Sequence, residues 1–402
     1  MRAFNRMGPA LGATGLLLAL DAEHMMAEAR RRAGLSDFGE DWFRAPLDAL
    51  LGSINGEARL SALGRTIIRK RIVDALTTRL RARALLDAYP EIESFDPGRV
   101  LVIAGLQRTG TTLLHRLLGA DPRIRAVLSW EALNPVPLSG PAERERRIRQ
   151  ALRAERGLKY IAPEFFAIHP VEHDMPEEDV LLLDVSFMSQ SAEATMHVPT
   201  YARWLEEHDH APAYRYLRQL LSVLLWQRHA PSLVLKSPHH LEHLDTVLDV
   251  FPNATIIQTH RDPQQTVPSF ASMVCHGASI FSDRVDVPRL TDHWLRKIRR
   301  VVERSLTARD RHGTARFVDV SYYDLIGDPM AELARVYEAA GLAFDPQAQQ
   351  GARETLRRQA RDRFGRHRYR REDFGLTREL IEGELGFYRR RFDIPFEEEA
   401  AS

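Results

Sequence analysis

The sequence has 402 residues and only one cysteine, Cys275. A single cysteine excludes an intramolecular disulfide and argues strongly against a zinc site built on cysteine thiolates. A chain that does without disulfides fits a reducing compartment. We therefore expect the protein to be cytoplasmic.

Long apolar runs are missing as well. No stretch approaches the roughly 18 apolar residues that a membrane-spanning helix needs, so the sequence predicts no membrane span. The apolar run 12–20, behind Arg2 and Arg6, superficially resembles a signal peptide, but it leads directly into Asp21 without the usual small-residue cleavage site. We interpret this run as the start of a helix in a soluble protein.

A large excess of charge is also absent, because 56 Lys and Arg residues stand against 55 Asp and Glu residues, for a formal net charge of +1. No global field draws the chain to nucleic acid, so we expect no nucleic-acid partner, and any anion site must be local. With 44% hydrophobic and 28% charged residues, the composition is that of a globular protein with a full core.

The stretch Val100–Thr112 (VLVIAGLQRTGTT) is the most informative part of the chain. Its apolar start, Val100–Ala104, predicts a buried strand. Gly105 and Gly110 bracket a tight loop, and an apolar helix begins at Thr111. This order directs unpaired backbone N–H groups and the positive end of the helix toward one point, which favours a phosphate-like anion. The alternative is an ordinary turn with a glycine-rich corner.

The loop lacks the lysine of ATP- and GTP-hydrolysing enzymes. It fits the phosphate-loop pattern G-x-x-x-x-G-K-[ST] at every fixed position except that of the lysine, where Thr111 stands. Arg108 supplies a cation inside the loop instead. The sequence therefore favours a phosphate-like anion over a triphosphate held by magnesium.

A metal site is not expected. His169 and His173 have the His-x-x-x-His spacing of some metal sites, but Pro170 between them argues against a single helix that carries both rings.

The remaining chain alternates predicted strands and helices after a helical start. Residues 1–95 predict helices, and Pro90 and the turn 95–98 then break the chain. We place a boundary there, with a helical N-terminal region over 1–95 and an α/β domain over 96–395. The further predicted strands are Ile124–Leu128, Ser232–Leu235, Ala254–Thr259 and Ala315–Val320. This alternation predicts a parallel sheet flanked by helices.

Charged side chains follow four of these strands. Ligands of parallel sheets bind at the carboxyl ends of strands, and Arg108, Lys236 and Arg261 all lie at such ends. Glu131 follows the second predicted strand, where a carboxylate would face the same region. A glutamate that caps a helix or forms a salt bridge is the alternative interpretation of Glu131.

These residues resemble the sulfotransferase family, whose members use 3′-phosphoadenosine 5′-phosphosulfate (PAPS). Leu106–Thr112 resembles the family's 5′-phosphosulfate loop, with Arg108 in the cationic place. Arg261 and Ser269, eight residues apart, resemble its 3′-phosphate motif. The basic segment 366–370 stands where the family closes over the donor, and the resemblance extends over about 100–392.

The resemblance implies a P-loop-like sulfotransferase fold. It also implies an enzyme that transfers a sulfuryl group from PAPS to a hydroxyl of a small-molecule, peptide or carbohydrate acceptor without a metal. A homo-oligomer is one possible state. The resemblance implies the donor-binding residues Arg108, Thr109, Gly110, Thr111, Thr112, Arg261, Ser269, Arg368 and Tyr369. It also implies three catalytic residues, Arg108, Lys236 at the bridging oxygen and Glu131 as general base, with His169 and His240 as alternative bases.

Two other functions stay open at this point. One is a nucleotide-dependent kinase with a degenerate phosphate loop, and the other is a nucleotide-binding protein without catalysis. For the acceptor, the segment 160–178 and the N-terminal helices are the expected lining, and Phe165 and Phe166 indicate an apolar or aromatic molecule.

Overall fold

Five short segments form one parallel sheet in the computed structural model, which describes residues 20–138, 140, 142–358 and 369–397. The strands are β1 (Arg99–Ile103), β2 (Ile124–Ala126), β3 (Ser232–Lys236), β4 (Ala254–His260) and β5 (Phe317–Ser321). Their spatial order is β2-β3-β1-β4-β5, so β1 lies at the centre. Its residue Val102 stands opposite Leu235 of β3 and Ile256 of β4.

Helices cover both faces of this sheet. In chain order they are α1 (Ala22–Ala33), α2 (Arg44–Glu57), α3 (Ala62–Ala88), α4 (Thr111–Leu118), α5 (Ser129–Leu133), α6 (Glu143–Ile161), α7 (Pro163–Ile168), α8 (Val180–Leu183), α9 (Pro199–Glu207), α10 (Ala211–Gln227), α11 (Leu244–Val250), α12 (Pro263–Phe281), α13 (Val287–His312), α14 (Tyr322–Gly327), α15 (Pro329–Ala339), α16 (Pro346–Arg358) and α17 (Arg378–Arg391). Short 3-10 turns occur between them, including one at Pro238–Glu242.

The central strand shows why the sheet needs two covering layers. From Val100 to Ile103 every residue of β1 is at most 1% exposed. Side chains alternate across a strand, so Val100 and Val102 join the larger apolar core, while Leu101 and Ile103 join a second core with α4, α15 and α16. A parallel strand buried on both faces requires an unbroken apolar run, and the predicted α/β fold with a helix-flanked parallel sheet is confirmed.

Some predicted boundaries differ from the structure. The second strand ends at Ala126 rather than Leu128. The segment 160–178, which is part of the expected acceptor lining, contains α7. Among the described helices, none is both long and apolar enough to cross a membrane. Most of the apolar run 12–20 lies outside the described residues.

The N-terminal helices α1, α2 and α3 pack into the same core as Val100 and Val102. Their division from the α/β part at residue 95 stays a prediction. A close backbone contact joins the two parts, because Ser61 N donates a hydrogen bond to Phe281 O over 2.8 Å. A Cβ on Gly64, in the first turn of α3, would lie only 2.0 Å from the same oxygen.

Gly64→Ala is therefore expected to lower the free energy of unfolding by about 1–3 kcal/mol, the usual cost of overpacking. Gly52→Ala is the matched control, since Gly52 lies inside α2 and a Cβ there would meet no atom within 4 Å. That control should raise stability by about 1 kcal/mol through helix propensity. Chemical denaturation measures the free energy of unfolding of both variants. Changes of the same sign in the two variants would contradict the close approach of Gly64 to Phe281 O.

Candidate active site

The loop after β1 is held by threonine hydroxyls. The Thr109 hydroxyl donates to Leu106 O over 2.5 Å, and it lies 2.6 Å from the Thr259 hydroxyl near the end of β4. Gly105 permits this closeness, because a Cβ there would lie 2.0 Å from Thr259 Oγ1. Thr109 is fully buried, so its role in the structure is to fasten the loop to the neighbouring strand.

The loop then turns sharply into α4. Arg108 has φ +69° and Gly110 has φ +89°, a region that L side chains rarely adopt. Among the described residues, no side chain caps the N-terminus of α4, where Thr111 is buried and Thr112 is exposed. The first N–H groups of a helix have no partner inside it. The predicted anion cradle therefore has the backbone it needs.

Arg108 connects this cradle to α12. Its Nε donates to the Ser269 hydroxyl over 3.1 Å, and its Nη1 donates to Ile168 O over 3.2 Å. Burial lowers the pKa of the Arg108 guanidinium, and the nearby Arg261 lowers that pKa further. The structure thus brings together the two halves of the predicted donor site, which are 161 residues apart in sequence.

Arg261, directly after β4, completes the second half. Its Nη1 donates to Arg108 O over 3.1 Å, and its guanidinium lies 4.0 Å from the ring centroid of Tyr322. Nε and Nη2 donate to the two carboxylate oxygens of Glu397 over 2.7 and 3.1 Å. Burial alone would lower the pKa of Arg261, but these bonds to Glu397 raise it. A carboxylate therefore occupies the planar fork that suits a phosphate.

The other contacts of Glu397 fix the C-terminal segment on this arginine. Its backbone N donates to Asp262 Oδ2 over 2.8 Å, and the Tyr323 hydroxyl donates to its Oε1 over 3.2 Å. Sequence reasoning did not single out Glu397, because nothing in its neighbourhood marks it as a partner of a residue 136 positions earlier.

Lys236 is the last residue of β3 and stands opposite Ile103, just before the glycine loop. Its side chain is 3% exposed, and its Nζ donates to Glu178 Oε1 over 2.6 Å. Its backbone N donates to Asp179 Oδ1 over 2.7 Å, and the other oxygen of Asp179 lies 2.8 Å from His240 Nε2. The strand end is thus anchored through its main chain, separately from the lysine ammonium.

Glu131 has different partners. It is the third residue of α5, where Oε2 accepts from Leu128 N over 3.0 Å and Oε1 accepts from Arg125 Nη2 over 2.9 Å. The Glu131 and Arg125 side chains are 4% and 1% exposed. The structure therefore shows the capping and salt-bridged arrangement that was the alternative interpretation, and the role of Glu131 as base stays a prediction.

The alternative bases lie in two places. His169 is half-buried, and burial lowers its pKa; Glu177 and Glu178 oppose that shift, while Lys236 and Arg108 reinforce it. His169 therefore interacts electrostatically with both of the predicted catalytic cations, Lys236 and Arg108. His240 is fully buried between Asp179 and Tyr214, and its Nδ1 lies 2.9 Å from the Tyr214 hydroxyl. Through Asp179 it supports the end of β3.

The predicted closing segment is described only in part. Tyr369 interacts electrostatically with both Arg108 and Arg261, and its hydroxyl donates to Gln265 O over 3.1 Å. Arg368 lies outside the described residues. The role of both residues in donor binding stays a prediction.

Comparisons with known proteins agree with this geometry. A family model described as "Sulfotransferase family" matches residues 100–346. The crystal structure of sulfotransferase STF1 from Mycobacterium tuberculosis has a TM-score of 0.81 and 32% identity, and the match covers 91% of this chain and 98% of that one. STF9 from Mycobacterium avium gives a TM-score of 0.85, 29% identity and coverages of 94% and 98%.

A curated relative from Mycobacterium tuberculosis carries the name omega-hydroxy-beta-dihydromenaquinone-9 sulfotransferase Stf3. It is 26% identical over 283 residues, which are 60% of this chain and 62% of that protein. The match thus spans less than two thirds of that relative's length. With the family model over more than half of the chain, the chain belongs to the sulfotransferase family.

Proposed function

We propose that the protein transfers a sulfuryl group from PAPS to the hydroxyl of an acceptor molecule. One observation carries this proposal: the glycine loop and the Arg261–Ser269 pair are joined through Arg108, which donates to Ser269 and accepts from Arg261. Two adjacent anion sites fit a nucleotide with a 5′-phosphosulfate and a separate 3′-phosphate. The bonds that Arg261 donates to the Glu397 carboxylate support an anion at this fork.

The charges of the site suit sulfuryl transfer. In such a reaction the acceptor oxygen forms a bond to sulfur, the bond between sulfur and the bridging oxygen breaks, and that oxygen leaves on the 5′-phosphate. By analogy with phosphoryl transfer, negative charge spreads over the transferred group and the leaving oxygen. Arg108 and the N–H groups at the start of α4 face the phosphosulfate, and Lys236 neutralises the bridging oxygen.

The experiment that tests the proposal is thermal unfolding of the whole chain with 3′-phosphoadenosine 5′-phosphate (PAP) in EDTA, and separately with ATP and magnesium. At 100 times its Kd, a ligand of the folded state adds about 2.7 kcal/mol, which is several degrees in Tm. We expect the Tm to rise with PAP and not with ATP and magnesium. A shift only with ATP and magnesium would favour the kinase and contradict the proposal.

A second measurement separates catalysis from binding alone. Incubation with PAPS and a panel of hydroxyl acceptors should yield PAP and a sulfated product. A different result would be PAP binding without sulfation of any acceptor in the panel, with Arg108→Ala and Lys236→Ala changing only the affinity for PAP. The chain would then be better assigned as a nucleotide-binding protein without catalysis.

An apolar hydroxyl compound is the acceptor class that we propose. The relative Stf3 is named for a hydroxylated dihydromenaquinone, and Phe165 is only partly buried, where it packs beside Gly277 of α12. Phe166 does not belong to the lining, since it is 4% exposed with the Lys159 ammonium 4.6 Å from its ring centroid. An acceptor panel that spans sugars, peptides and prenylated quinols tests this choice.

Two carboxylates, Glu131 and Glu178, are the leading candidates for the general base, ahead of the alternative base His169. The sequence favours Glu131, but its two oxygens already serve Leu128 N and Arg125. Glu178 is half-buried and contacts Lys236, the cation proposed for the leaving oxygen. The geometry therefore supports Glu178 as the group that takes the acceptor proton.

Glu178→Gln is expected to lower kcat by about 100-fold or more, the usual contribution of general-base catalysis, with PAP affinity nearly unchanged. Glu131→Gln should instead reduce stability by about 3 kcal/mol, because Arg125 loses a buried ionic partner. Steady-state kinetics and denaturation measure the two effects. Loss of kcat in Glu131→Gln at normal stability would restore Glu131 as base, and full activity in both variants would indicate His169.

Glu397 should compete with the 3′-phosphate, because both need the fork of Arg261. Glu397→Gln is expected to tighten PAP binding by about tenfold or more in calorimetric titration, because a hydrogen bond to a charged group contributes about 1.5–3 kcal/mol and 1.4 kcal/mol corresponds to tenfold. Glu382→Gln is the control, since that carboxylate pairs with Arg389 instead. Weaker PAP binding in Glu397→Gln would mean that Glu397 helps to hold the donor.

A further inference from the structure

Three histidines form a compact cluster outside the donor site. His210 directly precedes α10, His239 lies in the 3-10 turn after β3, and His243 directly precedes α11. One ring nitrogen of each histidine lies within 4.8 Å of those of the other two. The mechanism proposed above uses none of the three rings.

The hydrogen bonding of the cluster leaves ring nitrogens without partners. His210 Nε2 lies 2.9 Å from Leu205 O; a carbonyl can only accept, so this nitrogen carries the proton and Nδ1 keeps a lone pair. Among the described residues, neither His210 Nδ1 nor His239 Nε2 has a hydrogen-bond partner. Both side chains are almost fully buried, with residue exposures of 3% and 2%.

We propose that His210, His239 and His243 bind one divalent transition-metal ion, with zinc as the best fit. Neutral imidazole is a ligand that zinc readily accepts, and three histidines with one exchangeable position form a known type of zinc coordination. A histidine that ligates a metal typically donates its other ring N–H to a carbonyl or carboxylate, as His210 does to Leu205 O.

The surroundings are compatible with an added positive charge. Lys297 interacts electrostatically with all three histidines, and carboxylates of Glu193, Glu206 and Glu242 lie 3.6, 3.3 and 3.1 Å from its Nζ. These carboxylates offset its repulsion of a cation. His243, which is half-buried, gives the ion a route in.

The ion would brace the end of β3. It would tie the start of α10 to the turn that follows Lys236, and His240 of the same turn already contacts Asp179, which holds the Lys236 backbone. The ion is therefore assigned a structural role, and sulfuryl transfer does not require it as a reactant. The two proposals can fail separately.

The test uses the full chain without a histidine tag, stripped with EDTA and titrated calorimetrically with ZnCl2. We expect one zinc per chain, a higher Tm with zinc, and the strong visible absorption of tetrahedral cobalt when Co²⁺ replaces zinc. Absence of zinc binding by the unaltered chain, or a cobalt spectrum without the tetrahedral bands, would overturn the proposal without reliance on any variant.

Variants then locate the ion. Loss of an outer-shell partner typically weakens metal binding by about 10- to 100-fold. His243→Gln and His239→Gln each remove a proposed ligand, so each is expected to weaken zinc binding by more than that. His208→Gln is the matched control, because His208 is exposed and stacks on Trp204 outside the cluster. Equal zinc affinity in His243→Gln and His208→Gln would overturn the assignment, and cooperative thermal unfolding of each variant reports that it is folded.

Discussion

Replacement of Arg261 by alanine is expected to weaken PAP binding by about 100-fold and to change the sulfuryl-transfer step far less. Hydrogen bonds to charged groups contribute about 1.5–3 kcal/mol each, and 1.4 kcal/mol corresponds to a tenfold change in Kd. Arg261 directs Nε and Nη2 at one carboxylate, so a phosphate in that place would lose two such bonds. Calorimetric titration with PAP and the separate determination of kcat and KM measure the effect.

Two further variants show whether the effect belongs to the geometry of the fork. Arg261→Lys retains the charge but not the paired donors, so it should recover only part of the affinity. Arg311→Ala is the control, because Arg311 is 61% exposed and pairs with Asp245 away from the loop. A collapse of kcat with unchanged PAPS affinity in Arg261→Ala would show that this arginine does not bind the 3′-phosphate.

The strand ends could be predicted from sequence because parallel sheets impose strong local rules. A central strand buried on both faces must be apolar throughout, and Val100–Ile103 meets that condition. Since all carboxyl ends meet at one edge, the positions of Arg108, Lys236 and Arg261 follow from the strand assignments alone. The pairing of Arg108 with Ser269 confirms that the two predicted motifs are adjacent.

Side-chain partners at that edge could not be predicted. Glu178 reaches Lys236 across 58 residues. No period or spacing links such distant positions. The same limit applies to Glu397 and Arg261, where the contact depends on how the chain returns to the sheet after α17.

Glu131 lies after the second strand as the sequence predicts, but local geometry turns its carboxylate toward Leu128 N and Arg125. It does follow the second strand, but α5 begins at Ser129, so Glu131 is the third helical residue, where a glutamate readily reaches back to the N-cap backbone. The N-cap residue is Leu128 rather than the Ser or Thr of a capping box. The sequence therefore contains no motif for this cap, and the ion pairs with Arg125 and Arg228 help to explain the direction of the carboxylate.

Replacement of Lys236 by methionine is expected to lower kcat by about 100- to 1,000-fold, the effect of removing one preorganised group that stabilises transition-state charge. The leaving oxygen gains charge only as the bond to sulfur breaks, so a cation aimed at it acts on the transition state more than on the bound donor. PAP affinity should therefore change by only a few-fold. Single-turnover kinetics with PAPS separate the chemical step from product release.

The structure makes this substitution interpretable, because Asp179 holds the Lys236 backbone N and not its side chain. The end of β3 should thus stay in place, and the substitution removes the ammonium together with its ion pair to Glu178. Lys236→Arg should retain part of kcat, and Lys70→Met is the control, since Lys70 is 70% exposed on α3. Normal kcat in Lys236→Met would assign the leaving oxygen to Arg108, the other cation beside the loop, and the charge stabilisation proposed for Lys236 would be wrong.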